Sequence, residues 1–151
     1  TVFDGTPVNG EFTQGENIGD LAGVVIAYKA YQLSKKGEKD IIIDGLTGDE
    51  RFFYGWATIW GEKSTEEQQI RQIKTDPHSP GKFRANGPLV SMQEFVNLFK
   101  IEEGDGMYLK PEQRVKKSLG QFGYEITKDN KIKIVDRFNF NDARGNTKKA
   151  P

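Results

Sequence analysis

Glu16 and Asp20 are the residues whose types and spacing first suggest chemistry. They stand four positions apart at the head of an apolar segment, and residues at i and i+4 share one face of a helix. Carboxylates are among the side chains that ligate zinc. The alternative is purely structural, because the helix macrodipole favours two acids in a first helical turn. In that interpretation the acidic turn binds nothing. On these two residues alone, the acidic first turn is the better interpretation.

His78 and Arg84 lie in a second stretch of interest, residues 75–90, which holds three prolines and two glycines among polar residues. This composition predicts an irregular loop, and loops held by a rigid scaffold are where functional residues concentrate. His78 is the only histidine of the chain. On composition alone, a single loop histidine is more often a surface residue than a catalyst, and Arg84 is more often part of a surface salt bridge.

Both stretches resemble signatures of one family, the neprilysin-like zinc metallopeptidases. Residues 8–23 read VNGEFTQGENIGDLAG, and residues 75–89 read TDPHSPGKFRANGPL. They come in the order of the family and at about its spacing. A third block, GDGMYLKPEQRV at 104–115, is similar to bacterial members. The resemblance covers residues 8 to 115 and does not extend to 118–151.

The resemblance implies a role for each acidic residue of the first stretch. Glu16 corresponds to the third ligand of a catalytic zinc ion, and Asp20 to an acceptor that orients a ligand histidine through a hydrogen bond. In the second stretch, His78 corresponds to a donor to the oxyanion of the transition state. Arg84 corresponds to a hydrogen-bond donor to the substrate backbone, and Asn86 to part of the substrate-binding loop wall.

Asp76, two residues before His78, is predicted to orient the imidazole, as carboxylates do for catalytic histidines.

The sequence departs from the family because it contains no HExxH, the motif that supplies two histidine ligands and the general base. A catalytic zinc needs three protein ligands, so one zinc ion would require two histidines from outside this chain. The N-terminal part of the same peptidase, carrying HExxH, is the predicted partner. The chain alone is predicted to be inactive. It opens at Thr1 without an initiator methionine, and we expect a fragment or a processed product.

The implied function is that of a zinc-dependent metalloendopeptidase hydrolysing oligopeptide bonds, with peptides as substrates. The alternative is a non-catalytic, peptidase-derived binding or interaction module, in which Glu16 and His78 are relics. Substitution of His78 would separate the two, because only the enzyme would lose turnover.

Composition limits the other possibilities. The 151 residues carry 22 basic and 22 acidic side chains, which gives no electrostatic reason to expect binding to nucleic acid or anionic membranes. A basic C-terminal tail gives only weak support for an anionic polymer. No apolar run approaches a membrane span, and no signal peptide is visible. With no cysteines, the compartment is not readable.

Periodicity predicts a mainly α fold with a minor β part. We expect a loop over residues 1–15 with a short strand near Phe12, and a helix from Asn17 to Lys36 ended by Gly37. Ser/Thr-x-x-Glu capping boxes at Thr47, Ser64 and Ser91 predict three more helices. Asp76-Pro77 is predicted to end the second of these.

The resemblance makes residues 1–117 the C-terminal part of a thermolysin-like catalytic domain. Residues 118–151 are predicted to be a β-hairpin extension of unknown role. There, apolar residues alternate with polar ones on both sides of a turn at Asp129-Asn130, which is typical of a hairpin.

Overall fold

The computed structural model describes residues 5–115, 124–126 and 132–134. This part of the chain is mainly helical, as predicted. The helices are α1 (Gly10–Ser34), α2 (Gly48–Thr58), α3 (Glu66–Thr75), α4 (Gly81–Asn86) and α5 (Gln93–Leu98), with a 3-10 turn at Leu89–Ser91. The chain divides into two units, residues 1–115 and 116–151.

Helix α1 is longer at its start than the sequence pattern predicts. The side chain of Asn9 accepts a hydrogen bond from the backbone N–H of Phe12 at 3.1 Å, which satisfies one of the free donors of the first turn. The strand predicted near Phe12 is therefore wrong, and so is the predicted loop from residue 10 onwards, because this cap starts the helix at Gly10. Residues 6–9 form neither helix nor strand, as predicted. Glu16 and Asp20 consequently lie well inside the helix, and the explanation by an acidic first turn fails.

The core lies around Phe53 of α2, which contacts both α1 and α5. Tyr28 of α1 stacks on Phe53 of α2 with ring centroids 5.1 Å apart, and Phe53 meets Phe95 of α5 edge-on at 5.3 Å. All three are buried, together with Leu21 and Val25 of α1. Burying each such side chain contributes roughly 1.5–3 kcal/mol. This packing fixes which face of α1 remains available for other contacts.

Helix starts agree with the predicted capping boxes only at Thr47. Its hydroxyl accepts from the backbone of Glu50, whose carboxylate accepts in return, so the box at α2 is confirmed. The box predicted at Ser64 is wrong by one position, because Thr65 caps α3. Ser91 ends the 3-10 turn, and α5 begins after Met92 without a side-chain cap.

The segment after α3 contains more regular structure than predicted. Asp76 is extended before Pro77 and ends α3, as expected. The loop predicted over residues 75–90 is wrong for Gly81–Asn86, which forms α4, and for the 3-10 turn that follows. Helix α4 has six residues, Pro80 as its N-cap and no side-chain capping bond. A segment so short carries too few turns to show helical periodicity.

Two short strands are described beyond residue 115. Tyr124–Ile126 pairs antiparallel with Ile132–Ile134, with Glu125 opposite Lys133. The turn between them lies outside the described residues, so the hairpin extension stays a prediction. None of the helices in the described part is both long and apolar enough to cross a membrane.

Candidate functional site

Helices α1 and α4 meet through Asp20 and Arg84, which are 64 positions apart in the sequence. The Nε of Arg84 donates to Oδ2 of Asp20 at 2.7 Å, and its Nη2 donates to Oδ1 at 2.8 Å. The same Nη2 lies 3.7 Å from Oε2 of Glu16. One arginine therefore contacts both acids, which confirms that they share a face of α1.

The carboxylates of Asp20 and Glu16 differ in their exposure to solvent. The side chain of Asp20 is 10% exposed and that of Arg84 is 17% exposed, whereas Glu16 is 46% exposed. The hydrogen bond from Arg84 to Asp20 raises the pKa of the guanidinium, against the opposing effect of burial. The Nη1 of Arg84 makes no hydrogen bond to any described residue. Asp20 is thus held in a closed pair, while Glu16 keeps nearly half of its side-chain surface exposed.

His78 lies between two carboxylates. Its Nδ1 is 2.6 Å from Oδ1 of Asp76, and its Nε2 is 3.2 Å from Oε2 of Glu16. The backbone N–H of His78 also donates to Oδ1 of Asp76 at 2.9 Å. This bond, followed by the contact with the imidazole, lowers the pKa of the Asp76 carboxyl. The predicted contact between Asp76 and His78 is present, and it directs Nε2 towards Glu16.

Asn86, the other residue predicted to bind substrate, occupies a different position. It is the last residue of α4 and is exposed. Its side chain makes no hydrogen bond within the described residues. The structure therefore brings Glu16, Asp20, His78 and Arg84 together and leaves Asn86 at the edge of the group.

Trp60, which follows the end of α2, also belongs to this group. The helix ends at Thr58, and the Trp60 ring lies 4.3 Å from the guanidinium carbon of Arg84. Trp56 meets Trp60 edge-on at 5.4 Å. Nothing local in the sequence points to the contact of Trp60 with Arg84.

The described residues do not by themselves complete a metal-binding set. No group of three histidine, cysteine, aspartate or glutamate residues stands in a metal-binding arrangement within the part of the chain that the structure describes. Glu16 offers one half-exposed carboxylate beside His78. This fits a single zinc ligand, and the remaining ligands would have to come from elsewhere.

A solved structure shares this arrangement of elements. The cryo-EM structure of the zinc metalloprotease Zmp1 of Mycobacterium tuberculosis in its open state superposes with a TM-score of 0.72 and is 49% identical. The match covers 76% of this chain and 18% of that one. The described fold is therefore that of the matching part of a zinc metalloprotease.

The chain belongs to peptidase family M13, whose model matches residues 1–115. It is 42% identical over 107 residues to endothelin-converting enzyme 1 of Rattus norvegicus, which covers 69% of this chain and 14% of that enzyme. It is 38% identical over 120 residues to a neutral endopeptidase of Lactococcus lactis, which covers 76% of this chain and 18% of the relative. The predicted neprilysin-like resemblance is confirmed, and the chain spans less than a fifth of the length of these relatives.

Proposed function

We propose that this chain supplies one side of the active site of a zinc metalloendopeptidase that hydrolyses internal bonds of oligopeptides. The observation that carries this proposal is the convergence of Glu16 and Asp20 from α1 with His78 and Arg84 from the segment after α3. A salt bridge that only stabilises the surface would not require Glu16 to keep an exposed carboxylate beside the Nε2 of His78. The other ring nitrogen of His78, Nδ1, is already held by Asp76.

Each member of the group has a distinct task in the proposal. Glu16 contributes one carboxylate oxygen to zinc, and the bound ion would supply Lewis acidity for the attack of water on a peptide bond. His78, held through Nδ1 by Asp76, presents Nε2 as a donor to the oxyanion. The Nη1 group of Arg84 donates to a backbone carbonyl of the substrate. Asn86 borders the substrate at the end of α4.

Asp20 serves the site through its neighbours. Its carboxylate holds Arg84 with two hydrogen bonds, and its remaining lone pairs can accept from a histidine ligand.

The two histidine ligands and the general base would come from a segment carrying HExxH. Exposed apolar side chains in the described part support such a partner, because large apolar residues on a surface often mark a contact area. Ile41 and Ile42 are 65% and 58% exposed, and Ile59, one residue before Trp60, is 66% exposed.

The proposal is tested in the assembled enzyme, in which this chain is joined to the segment with HExxH. We expect His78→Ala to lower kcat for an internally quenched oligopeptide by about 10²–10³-fold, because an oxyanion donor is lost. The melting temperature should stay close to that of the parent, since His78 is half-exposed. Lys74→Ala, which removes an exposed side chain of α3, is the control and should retain full turnover.

Unchanged turnover in His78→Ala would overturn the catalytic role and favour the peptidase-derived interaction module. Full activity after exhaustive treatment with EDTA would contradict the zinc requirement.

A further inference from the structure

The two tryptophans of the chain both contact the C-terminal end of α4. Trp56 donates from Nε1 to the backbone carbonyl of Ala85 at 3.0 Å. Trp60 covers the guanidinium of Arg84, the residue before Ala85, at 4.3 Å. The two indoles contact each other edge-on. Trp56 of α2 and Trp60, just after α2, thus contact the backbone of Ala85 and the side chain of Arg84 in α4.

The first turn of α4 also contacts the segment that follows α2. A Cβ on Gly81 would lie 2.9 Å from the backbone carbonyl oxygen of Trp60, so the two backbones meet where only glycine fits. Helix α4 has no side-chain cap, and isolated helices of this length are unstable in water. The orientation of α4 therefore depends on contacts with neighbouring elements, among them the residues at and after the end of α2 and Asp20 of α1, rather than on its own hydrogen bonds.

We propose that Trp60 is the positioning residue of Arg84 and that Trp56 holds the backbone on which Arg84 stands. An arginine loses much side-chain entropy when it is fixed. A face-on indole removes part of that freedom before any partner binds, through a cation–π contact. With Nε and Nη2 bound to Asp20 and one face against Trp60, the remaining donors of Nη1 are held in a defined direction.

The claim that Trp60 positions Arg84 is independent of the proposed function. The claim that this positioning favours substrate binding rests on the proposed function. The two can therefore fail separately, and the experiment measures Arg84 itself before it measures activity.

The test uses the full chain with ¹⁵N-labelled arginine. We expect the Nε–H of Arg84 to exchange with water more slowly than that of Arg71, which is exposed on α3, and to show a ring-current shift. Trp60→Leu should remove the shift and speed exchange by about 2- to 30-fold, the range that a cation–π contact allows. Trp60→Phe keeps an aromatic face and should preserve most of the protection.

Trp56→Phe is the matched variant for the second contact, between Trp56 and the backbone of Ala85. It keeps the aromatic contact but loses the bond to Ala85, so we expect a smaller increase in exchange and a retained ring-current shift. If Trp60→Leu does not fold, the ring-current shift at the Nε–H of Arg84 in the parent chain still tests the contact with Trp60, because Asp20, which also protects this group from exchange, has no aromatic ring. The positioning role would be refuted if Arg84 showed no ring-current shift and exchanged like Arg71 in the parent chain, or if a folded Trp60→Leu variant protected it equally well.

Activity of the assembled enzyme then separates the two proposals. A higher KM in Trp60→Leu, partly restored in Trp60→Phe, would support both the positioning role and the proposed function. Faster exchange at Arg84 with unchanged KM and kcat would keep the positioning role and contradict the use of Arg84 as a substrate clamp.

Discussion

Two side-chain pairs on one face of α1, Asp20 with Arg84 and Glu16 with His78, differ in their exposure to solvent. Asp20 and Arg84 satisfy each other through a pair of hydrogen bonds and are mostly screened from solvent. Glu16 and His78 are both more than 40% exposed and meet at 3.2 Å. The first pair is built to stay closed, and the second can open when another group competes for either partner.

The closed pair predicts a strong distinction between arginine and lysine at position 84. Arg84→Lys keeps the positive charge but cannot reproduce the two-point contact with Asp20, because an ammonium group lacks the planar fork of donors. We expect a loss of about 1–2 kcal/mol in the free energy of unfolding, measured by urea titration. Arg71→Lys on the exposed face of α3 should change it by less than about 0.5 kcal/mol.

An Arg84→Lys chain as stable as its parent would show that the two-point contact contributes nothing beyond charge.

At the level of elements, the end of α1 is tied to the start of α2 through Asp49. Its carboxylate accepts from Tyr28 at 3.1 Å, from Gln32 at 2.7 Å and from Lys35 at 2.7 Å. Burial acts to raise the pKa of Asp49, but the hydrogen bonds from Lys35, Gln32 and Tyr28 outweigh it and lower the pKa below the ordinary value of 3.8. Burial, together with Asp49, raises the pKa of the Tyr28 hydroxyl.

This arrangement predicts a definite dependence of stability on pH. A carboxyl whose pKa is lower in the folded state stabilises that state above its unfolded pKa, and the benefit is lost as pH falls through the folded pKa. We therefore expect Asp49→Asn to melt below the parent at pH 7, and the difference to shrink as the pH falls below 3.8, the ordinary value for this carboxyl. Glu38→Gln, in the exposed turn after α1, is the control and should follow the parent at every pH.

A difference between Asp49→Asn and its parent that is constant from pH 7 to pH 2 would mean that lost packing, not the charge of Asp49, causes the destabilisation.

The parts that could be predicted from sequence are those set by near neighbours. The shared face of Glu16 and Asp20 follows from helical spacing, and the contact of Asp76 with His78 spans two residues. The start of α1 was misplaced because the cap at Asn9 is a single hydrogen bond ahead of a glycine-containing stretch. The contact of Trp60 with Arg84 was missed because only the folded packing of α2 against α4 creates it.

At the level of the whole molecule, the proposed zinc site needs ligands that the described residues do not supply. The chain spans 14% to 18% of the length of the relatives reported above. Its described residues offer one carboxylate suited to zinc and no set of three ligands. A half-exposed glutamate beside a histidine on a separate segment does not provide the closed coordination that holds zinc tightly.

The isolated chain should therefore bind little zinc, and elemental analysis after dialysis should find well below one ion per chain. Joining it to the segment with HExxH should raise the content to about one ion, because three protein ligands then surround an open position. Glu16→Gln in the joined protein should lower that content, since an amide oxygen is a poorer zinc ligand than a carboxylate. Glu11→Gln, an exposed acid in the first turn of α1, is the matched control and should keep the full complement. Stoichiometric zinc on the isolated chain that survives a chelator would mean that this chain completes a metal site by itself, and the division of the active site between two segments would then be wrong.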